Sequence, residues 1–200
     1  MTIGRRFARL VTNVVTSRPS LWRLFRAPLR WQFQRLAPRW DAMRAPGHLA
    51  ALEAALEHVP TPARALDLGT GTGQAAFAIG RRFPDAEVVG VDLAPEMVRV
   101  AGGLGSGVTF RVADASSLPF EDGAFELVTL ANMIPFFDEL TRVVAPGGSV
   151  VFSFSSGPET PIYVPPERLR EELAARGFAD FAEFAEGSAT ALLAIRAPST

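Results

Sequence analysis

The sequence predicts an α/β fold: a doubly wound seven-stranded sheet, mostly parallel with its last strand antiparallel, beside an N-terminal helical cap. From Ala63 onward, short apolar runs alternate with helical segments, which is the pattern of successive βαβ units. Near the end, Glu186-Gly187-Ser188 separates two strand-like runs, as in an antiparallel hairpin. The 200 residues are enough for one α/β domain with an appendage and too few for two full domains.

Each predicted strand is a short apolar run, and each predicted helix carries apolar residues at three- and four-residue spacings. Strands are expected at residues 64–68, 87–92, 108–112, 125–130, 149–153, 181–185 and 189–196. Helices are expected at 74–83, 95–101, 136–144 and 165–175.

The first 60 residues are predicted to form a basic helical cap. Apolar residues recur at helical spacing from 2 to 43, and Pro19, Pro28 and Pro38 should divide this stretch into two or three short helices. A further helix is expected at 48–59, ended by the prolines that follow. The remaining residues, 61–200, form the predicted main domain.

Charge is distributed unevenly along the chain. Residues 1–44 contain ten arginines and one acid, whereas the rest has a net charge of −10, so the total is −1. A basic leader on an acidic domain indicates an anionic partner or an element that docks on its own domain. Because the leader interleaves tryptophan and phenylalanine with arginine, peripheral membrane contact fits better than nucleic-acid binding, and a cap packed on the domain is the simpler interpretation.

Composition excludes several kinds of chemistry. There is no cysteine, so disulfides, thiol nucleophiles and thiolate metal sites are ruled out, and His48 and His58 are too few for a histidine-rich metal cluster. No metal is therefore expected, and neither histidine is assigned to catalysis. No apolar run reaches the ~18–20 residues of a membrane span. We expect a cytoplasmic protein, with possible peripheral contact at the inner membrane surface.

A glycine-rich turn carries the strongest functional signal. Residues 65–74, ALDLGTGTGQ, place an apolar strand and Asp67 before three alternating glycines and a helix. Glycines let the backbone approach a ligand closely, and the free amides of a helix start favour polar or anionic groups. The spacing also satisfies a dinucleotide fingerprint, so a nicotinamide cofactor stays open at this point.

Two further acids follow predicted strands. Asp92 ends the second strand and is placed to bind both ribose hydroxyls of a nucleoside. Asp114 follows the third strand, where a carboxylate can accept a hydrogen bond from an exocyclic amine. Together with the turn, these acids favour an adenosyl ligand.

These features resemble the class I S-adenosylmethionine-dependent methyltransferases of the small-molecule type. The resemblance rests on the turn, the two acids and the sequence RVVAPGG at 142–148, and it covers roughly residues 63–196. It implies a Rossmann-like fold in which 61–200 is the methyltransferase domain, with S-adenosyl-L-methionine as cofactor. The implied cofactor-binding residues are Asp67, Gly69, Thr70, Gly71, Gly73, Asp92, Leu93, Asp114, Ala115 and Asn132.

The resemblance also assigns roles within this set. The glycines would let the backbone lie close to the amino-acid portion of the cofactor. Asp67 would hold the turn and the polar end of the cofactor. Asp92 holds the ribose. Asp114 and the Ala115 amide would contact the adenine, and Leu93 would pack on its ring.

The loop after the fourth strand departs from the family pattern because it is short and contains no histidine. No general base can be borrowed from relatives, so the catalytic residues are unknown. Asn132 is a candidate either for orienting donor or acceptor or for capping the next turn. Trp40 and Tyr163 are candidate substrate contacts, with core packing as the alternative for Trp40 and a simple spacer as the alternative for the loop around Tyr163.

The predicted function is methyl transfer from S-adenosylmethionine to a small-molecule or lipid-like acceptor. An NAD(P)-dependent oxidoreductase is the first alternative. A non-catalytic methyltransferase fold that acts as a binding subunit is the second.

Overall fold

The computed structural model describes residues 3–104 and 107–198, in which helices and strands alternate. The helices are α1 Ile3–Ser17, α2 Trp22–Leu36, α3 Ala50–Leu56, α4 Gln74–Arg82, α5 Pro95–Gly102, α6 Phe137–Val143 and α7 Pro166–Ala174. The strands are β1 Arg64–Leu68, β2 Glu87–Asp92, β3 Thr109–Val112, β4 Phe125–Ala131, β5 Val144–Phe154, β6 Phe178–Glu186 and β7 Ala189–Arg196.

The strands form one sheet in the order β3-β2-β1-β4-β5-β7-β6. β1 to β5 pair in parallel where they are neighbours, and β7 runs antiparallel to both β5 and β6. The predicted fold class is therefore confirmed, including the terminal hairpin. In this order the chain reverses direction across the sheet between β1 and β4, which is where ligands bind in doubly wound folds.

Apolar side chains cover both faces of the central strands. Along β1, Leu66 and Leu68 belong to the core cluster on one face, while Ala65 packs into the cluster on the other face with Leu52 and Ile79. Burial on both faces explains why this strand is apolar after Arg64 except at Asp67. That single buried carboxylate marks the site.

The N-terminal segment differs from its prediction at Pro28. Pro19 and Pro38 each open a short 3₁₀ turn, as expected of helix-breaking residues, but Pro28 lies inside α2. Pro28 is exposed, and so is Leu24, whose carbonyl loses its usual donor. Water can satisfy that carbonyl, so the proline is tolerated within the helix.

Several element bounds also differ from the predicted ones. β5 begins at Val144 rather than at residue 149, because Val144 already pairs with Phe125, and β6 begins at Phe178, which pairs with Arg196. α3 is shorter than predicted and packs against the sheet. The division at residue 60 stays a prediction. Within the described ranges, the helices are too short or too polar to cross a bilayer.

Candidate functional site

The site lies at the carboxyl edge of β1, β2 and β4, where the glycine turn follows β1. Gly69, Gly71 and Gly73 all have positive φ, at 68°, 54° and 88°. The Thr70 amide donates to the Val91 carbonyl at 2.9 Å, which ties the turn to β2. Only glycine adopts three such angles without strain, so the sequence specifies the turn directly.

The three glycines face different neighbours. A Cβ on Gly69 would lie 2.6 Å from the Met133 sulfur, and a Cβ on Gly71 would lie 3.0 Å from Trp40 Nε1. A Cβ on Gly73 would instead meet Phe110 at 2.8 Å. Gly73 is thus required by packing against β3 and at the start of α4, and its predicted ligand contact stays a prediction.

Asp67 is buried at the end of β1, with 1% of its surface exposed. The Thr129 hydroxyl on β4 donates to Oδ1 at 2.7 Å, whereas Oδ2 has no hydrogen-bond partner among the described residues. Burial raises the pKa of Asp67 to about 6, and interactions with the Thr70 and Thr129 hydroxyls oppose that rise. A buried carboxylate oxygen without a donor fits a ligand that brings one.

Arg44 and His48 line the same small cavity as Asp67, and sequence reasoning missed both of them. Arg44 Nε and His48 Nε2 are buried with no hydrogen-bond partner in the described part of the chain. Burial lowers the pKa of Arg44, opposed by the charges of Asp41 and Asp67. Burial, followed by the Arg44 charge, lowers the pKa of His48, so its ring is neutral at pH 7. The cavity therefore presents a cationic group and a carboxylate together.

The segment after α2 is fastened over the glycine turn. The Thr72 hydroxyl donates to Asp41 Oδ1 at 2.5 Å. The Trp40 ring packs edge-on against Phe33, with the ring centroids 5.5 Å apart, and the Arg44 guanidinium lies 4.9 Å from the Trp40 ring centroid. Trp40 thus lies directly against Gly71, and whether it contacts cofactor or acceptor stays a prediction.

Asp92 joins the end of β2 to the turn. Its Oδ2 accepts from the Gly71 amide at 2.9 Å, and its Oδ1 accepts from the Ala94 amide at 2.8 Å. Burial raises the pKa of Asp92, and these amide hydrogen bonds act in the opposite direction. Leu93 follows directly and is half-buried. The carboxylate is therefore fixed in place at the predicted ribose position.

Asp114 lies in the connection that follows β3. Residues of the N-terminal segment bond to its carboxylate. Trp22 Nε1 donates to Oδ1 at 2.9 Å and to Oδ2 at 3.1 Å, and the Arg26 guanidinium lies 3.5 Å from Oδ2. The Ser116 amide and hydroxyl also donate to Oδ1, at 2.9 and 2.7 Å. Ala115 is buried beside it. Nothing in the local sequence around Asp114 indicates this contact with Trp22.

Asn132 directly follows β4, and Tyr163 lies in the connection between β5 and α7. Asn132 has a positive φ of 54°, and its Oδ1 accepts from the Ser155 amide at 2.9 Å, so it connects the two strand ends. Tyr163 packs edge-on against Phe154 and lines a cavity of about 240 Å³ with Leu169, Phe184 and Leu192. The structure gives Asn132 a structural contact, and its role toward a cofactor stays a prediction.

The fold and part of the sequence resemble one class of protein, the class I S-adenosylmethionine-dependent methyltransferases. Residues 65–148 match the family model described as a methyltransferase domain. The chain also shares its fold with an S-adenosylmethionine-dependent methyltransferase from Aquifex aeolicus, with a TM-score of 0.65 at 18% identity over 80% of this chain and 97% of that one. This confirms the resemblance stated from the sequence.

Two curated relatives are similar in sequence. A demethylmenaquinone methyltransferase of Thermus thermophilus is 42% identical over 138 residues, which are 60% of this chain and 62% of that protein. A malonyl-[acyl-carrier protein] O-methyltransferase of Halorhodospira halophila is 41% identical over 109 residues, covering 50% of this chain and 37% of that protein. The chain spans less than two thirds of the length of either relative.

The residues present fit the cofactor of this class. Its amino-acid end carries an ammonium and a carboxylate, which match the unpaired Asp67 Oδ2 and Arg44 Nε. Gly69 and Gly71 let Met133 and Trp40 approach the backbone of the turn closely. Asp92 and Asp114 follow adjacent strands, because β2 pairs with β3 and the Ala113 amide donates to the Asp92 carbonyl at 3.0 Å.

Proposed function

We propose that this chain binds S-adenosylmethionine and transfers its methyl group to a small-molecule acceptor. One observation carries the proposal: groups of opposite charge, Asp67 and Arg44, have buried unpaired atoms around the glycine turn. A zwitterionic amino-acid group satisfies both at once. A dinucleotide phosphate supplies no cation for Asp67, so this arrangement favours the methyltransferase over the oxidoreductase alternative.

Each remaining part of the proposed site has a binding task. Asp92 holds the ribose hydroxyls, Leu93 packs on the adenine, and Asp114 with the Ala115 amide addresses its edge. The cofactor, when bound, supplies an activated methyl group on a sulfonium. This chain's residues bind and orient the two reactants and exclude water, and positioning alone provides a large part of such catalysis. We assign no general base.

Calorimetry with S-adenosylhomocysteine and with NADH tests the cofactor. We expect binding of the first and not of the second. Asp92→Ala should weaken S-adenosylhomocysteine binding about tenfold or more, because it removes an ionised acceptor of hydrogen bonds. Asp85→Ala is the matched control, since Asp85 is an exposed acid in the turn before β2.

The result of that experiment separates the alternatives. NADH binding without S-adenosylhomocysteine binding would favour the oxidoreductase. Cofactor binding without methyl transfer to any tested acceptor would favour the binding subunit. Unchanged affinity in Asp92→Ala would contradict the ribose assignment alone.

We further propose that the acceptor is lipid-like, and two observations support this. The relative of 42% identity is named a demethylmenaquinone methyltransferase, and the cavity beside Tyr163 is lined largely by apolar side chains. The second relative is named an O-methyltransferase of a carrier-bound malonyl group, so the relatives do not define one acceptor atom. A panel of demethylated quinones and acyl thioesters, scored by methyl incorporation, tests this proposal.

The outer face of α1 and α2 is the proposed contact with an anionic membrane surface. Phe7, Leu10, Leu24 and Trp31 are exposed there, at 45–62% of their surface. Among the arginines of residues 6–44, all of which are described, only Arg26 forms an ion pair. Arg9 donates to the Pro158 and Thr160 carbonyls, and Arg44 lines the cavity with Asp67. The other arginines without an ion pair are available to an external anionic partner, at about 1 kcal/mol for each arginine near the surface.

Sedimentation with vesicles tests this contact. We expect binding to vesicles with anionic phospholipids at low salt, and weaker binding at high salt or with neutral lipid. Leu24→Ser with Trp31→Ser should reduce it, whereas Leu104→Ser, which changes an exposed leucine outside the leader, should not. No binding to anionic vesicles would contradict the membrane proposal and favour a water-soluble acceptor.

A further inference from the structure

Donors already occupy the Asp114 carboxylate on the side of the N-terminal segment. The Ser116 amide and hydroxyl both donate to Oδ1, the Trp22 indole N–H is shared between Oδ1 and Oδ2, and the Arg26 guanidinium lies 3.5 Å from Oδ2. A carboxylate offers about four lone-pair sites, so these donors compete with any ligand for them. An adenine amine that binds Asp114 from this side must replace the indole.

Trp22 is the donor that resembles the ligand. Its indole is a planar bicyclic ring with an N–H at its edge, as adenine is a planar bicyclic ring with an amine at its edge. Only 8% of Trp22 is exposed, and the ring packs edge-on against Phe136 with the centroids 5.3 Å apart. The indole therefore fills both the space and the hydrogen bond beside Asp114.

The helix that carries Trp22 has few fully buried residues, although Phe25 and Phe33 are partly buried against the core. Of the 15 residues of α2, Trp22 and Leu29 are the buried ones. The residues that flank α2 directly, Leu21 and Ala37, are helical, and the backbone before it is non-helical at Arg18 (φ −140°, ψ 78°). Elements with few buried contacts open at the lowest free energy, and a non-helical junction can absorb part of the rotation.

We propose that α2 is a lid that closes the adenine end of the site, with Trp22 in the place of adenine, and that it withdraws when the cofactor binds. This inference rests on the proposed function, because it takes Asp114 as the adenine contact. A closed lid lowers the apparent affinity by the fraction of protein that is closed. The lid thus regulates access to the cofactor site from within the chain.

Calorimetry of the full chain with S-adenosylhomocysteine tests the lid. Trp22→Phe keeps a ring against Phe136 and removes the donor to Asp114, so we expect the affinity to rise about fivefold or more, as for loss of one charge-assisted hydrogen bond. Trp31→Phe, on the exposed face of the same helix, should change it less than about twofold. Unchanged or weakened binding in Trp22→Phe would overturn the inference.

Hydrogen exchange on the unmodified protein gives a second readout that needs no variant. With S-adenosylhomocysteine, amides of residues 69–75 should exchange more slowly, while those of 22–36 should exchange faster. Slower exchange in both regions would overturn the lid and leave the cofactor proposal intact. No heat and no protection at 69–75, in either the unmodified protein or Trp22→Phe, would overturn the proposed function and the lid with it.

Discussion

The two ends of the candidate cofactor site differ in how their polar groups are satisfied. At the glycine turn, Asp67 Oδ2 and Arg44 Nε are buried without partners in the described residues. At the other end, Asp114 already has donors from Trp22, Arg26 and Ser116. Leaving a buried polar group unpaired costs about 1–3 kcal/mol. A ligand that hydrogen-bonds to Asp67 and Arg44 therefore gains binding free energy at the glycine turn.

This difference indicates an order of binding. The amino-acid end of a ligand finds unpaired groups that are already in place, whereas the adenine end must displace an indole. We expect contacts at the glycine turn to contribute most of the initial affinity. Displacement of the indole from Asp114 should lower the overall affinity. The predictions below separate the two ends, beginning with the largest expected effect.

Gly71→Val should abolish binding of S-adenosylhomocysteine in calorimetry. The φ of 54° is disfavoured for a β-branched residue, and the new Cβ would lie 3.0 Å from Trp40 Nε1. The side chain would also fill the space at the turn end, where the gain is expected. The strain of such a residue is about 1–3 kcal/mol, which a folded domain can tolerate.

Gly187→Val is the matched control for that strain. Gly187 has a φ of 59°, with no atom within 4 Å of an added Cβ, and it lies in the β6–β7 turn. Circular dichroism should show both variants folded, and only Gly71→Val should lose binding. Full affinity in Gly71→Val would show that the turn does not approach the ligand.

The sequence predicted the fold and the turn end because their signals are local. The positive-φ glycines follow Asp67 within six residues, and Asp92 closes the next strand. Alternating apolar runs were likewise enough to predict all seven strands. Such features depend on residues that are close together in the sequence, so they can be recognised without knowing the fold.

The Asp114 end could not be predicted because its partner is distant. Trp22 and Asp114 are 92 residues apart, and nothing in either local sequence indicates that they meet. Arg44 and His48 were missed for a related reason, since they lie in or just after irregular chain whose position depends on Asp41 and Trp40. Pro28 shows the same limit, because its tolerance in α2 depends on which face is exposed.

Arg44→Met should weaken S-adenosylhomocysteine binding about tenfold, the second largest effect. The substitution keeps an apolar stem against Trp40 and removes the cation that faces the ligand carboxylate, and a hydrogen bond to a charged group is worth about 1.5–3 kcal/mol. Binding of 5′-methylthioadenosine, which lacks the amino-acid end, should not change. Arg39→Met, at an exposed position on the same segment, is the control.

Equal losses for both ligands would contradict the assignment of Arg44 to the amino-acid end. They would indicate that Arg44 acts by holding Trp40 over the turn. No loss for either ligand would remove Arg44 from the site.

Affinity for S-adenosylhomocysteine should rise about threefold to fivefold from pH 5 to pH 7.5, the smallest effect, as Asp67 ionises with a pKa of about 6. Burial raises this pKa, so at pH 5 the free protein holds Asp67 mostly neutral and offers the ligand ammonium no charge. Above pH 6 the carboxylate is ionised and attracts it.

Charged and titratable groups near the cavity are Asp41, Arg44, His48 and Asp92. Burial lowers the pKa of His48 and raises the pKa of Asp92. Asp67→Asn should flatten the profile measured by calorimetry, whereas His48→Gln should leave its slope intact. The profile for 5′-methylthioadenosine should be flat in all three proteins, because it has no ammonium to pair with Asp67. A slope that persists in Asp67→Asn and disappears in His48→Gln would transfer the titration to the histidine. That result would mean that the carboxylate is already ionised at pH 5, and the unpaired Oδ2 would then be satisfied by Arg44 and not by the ligand.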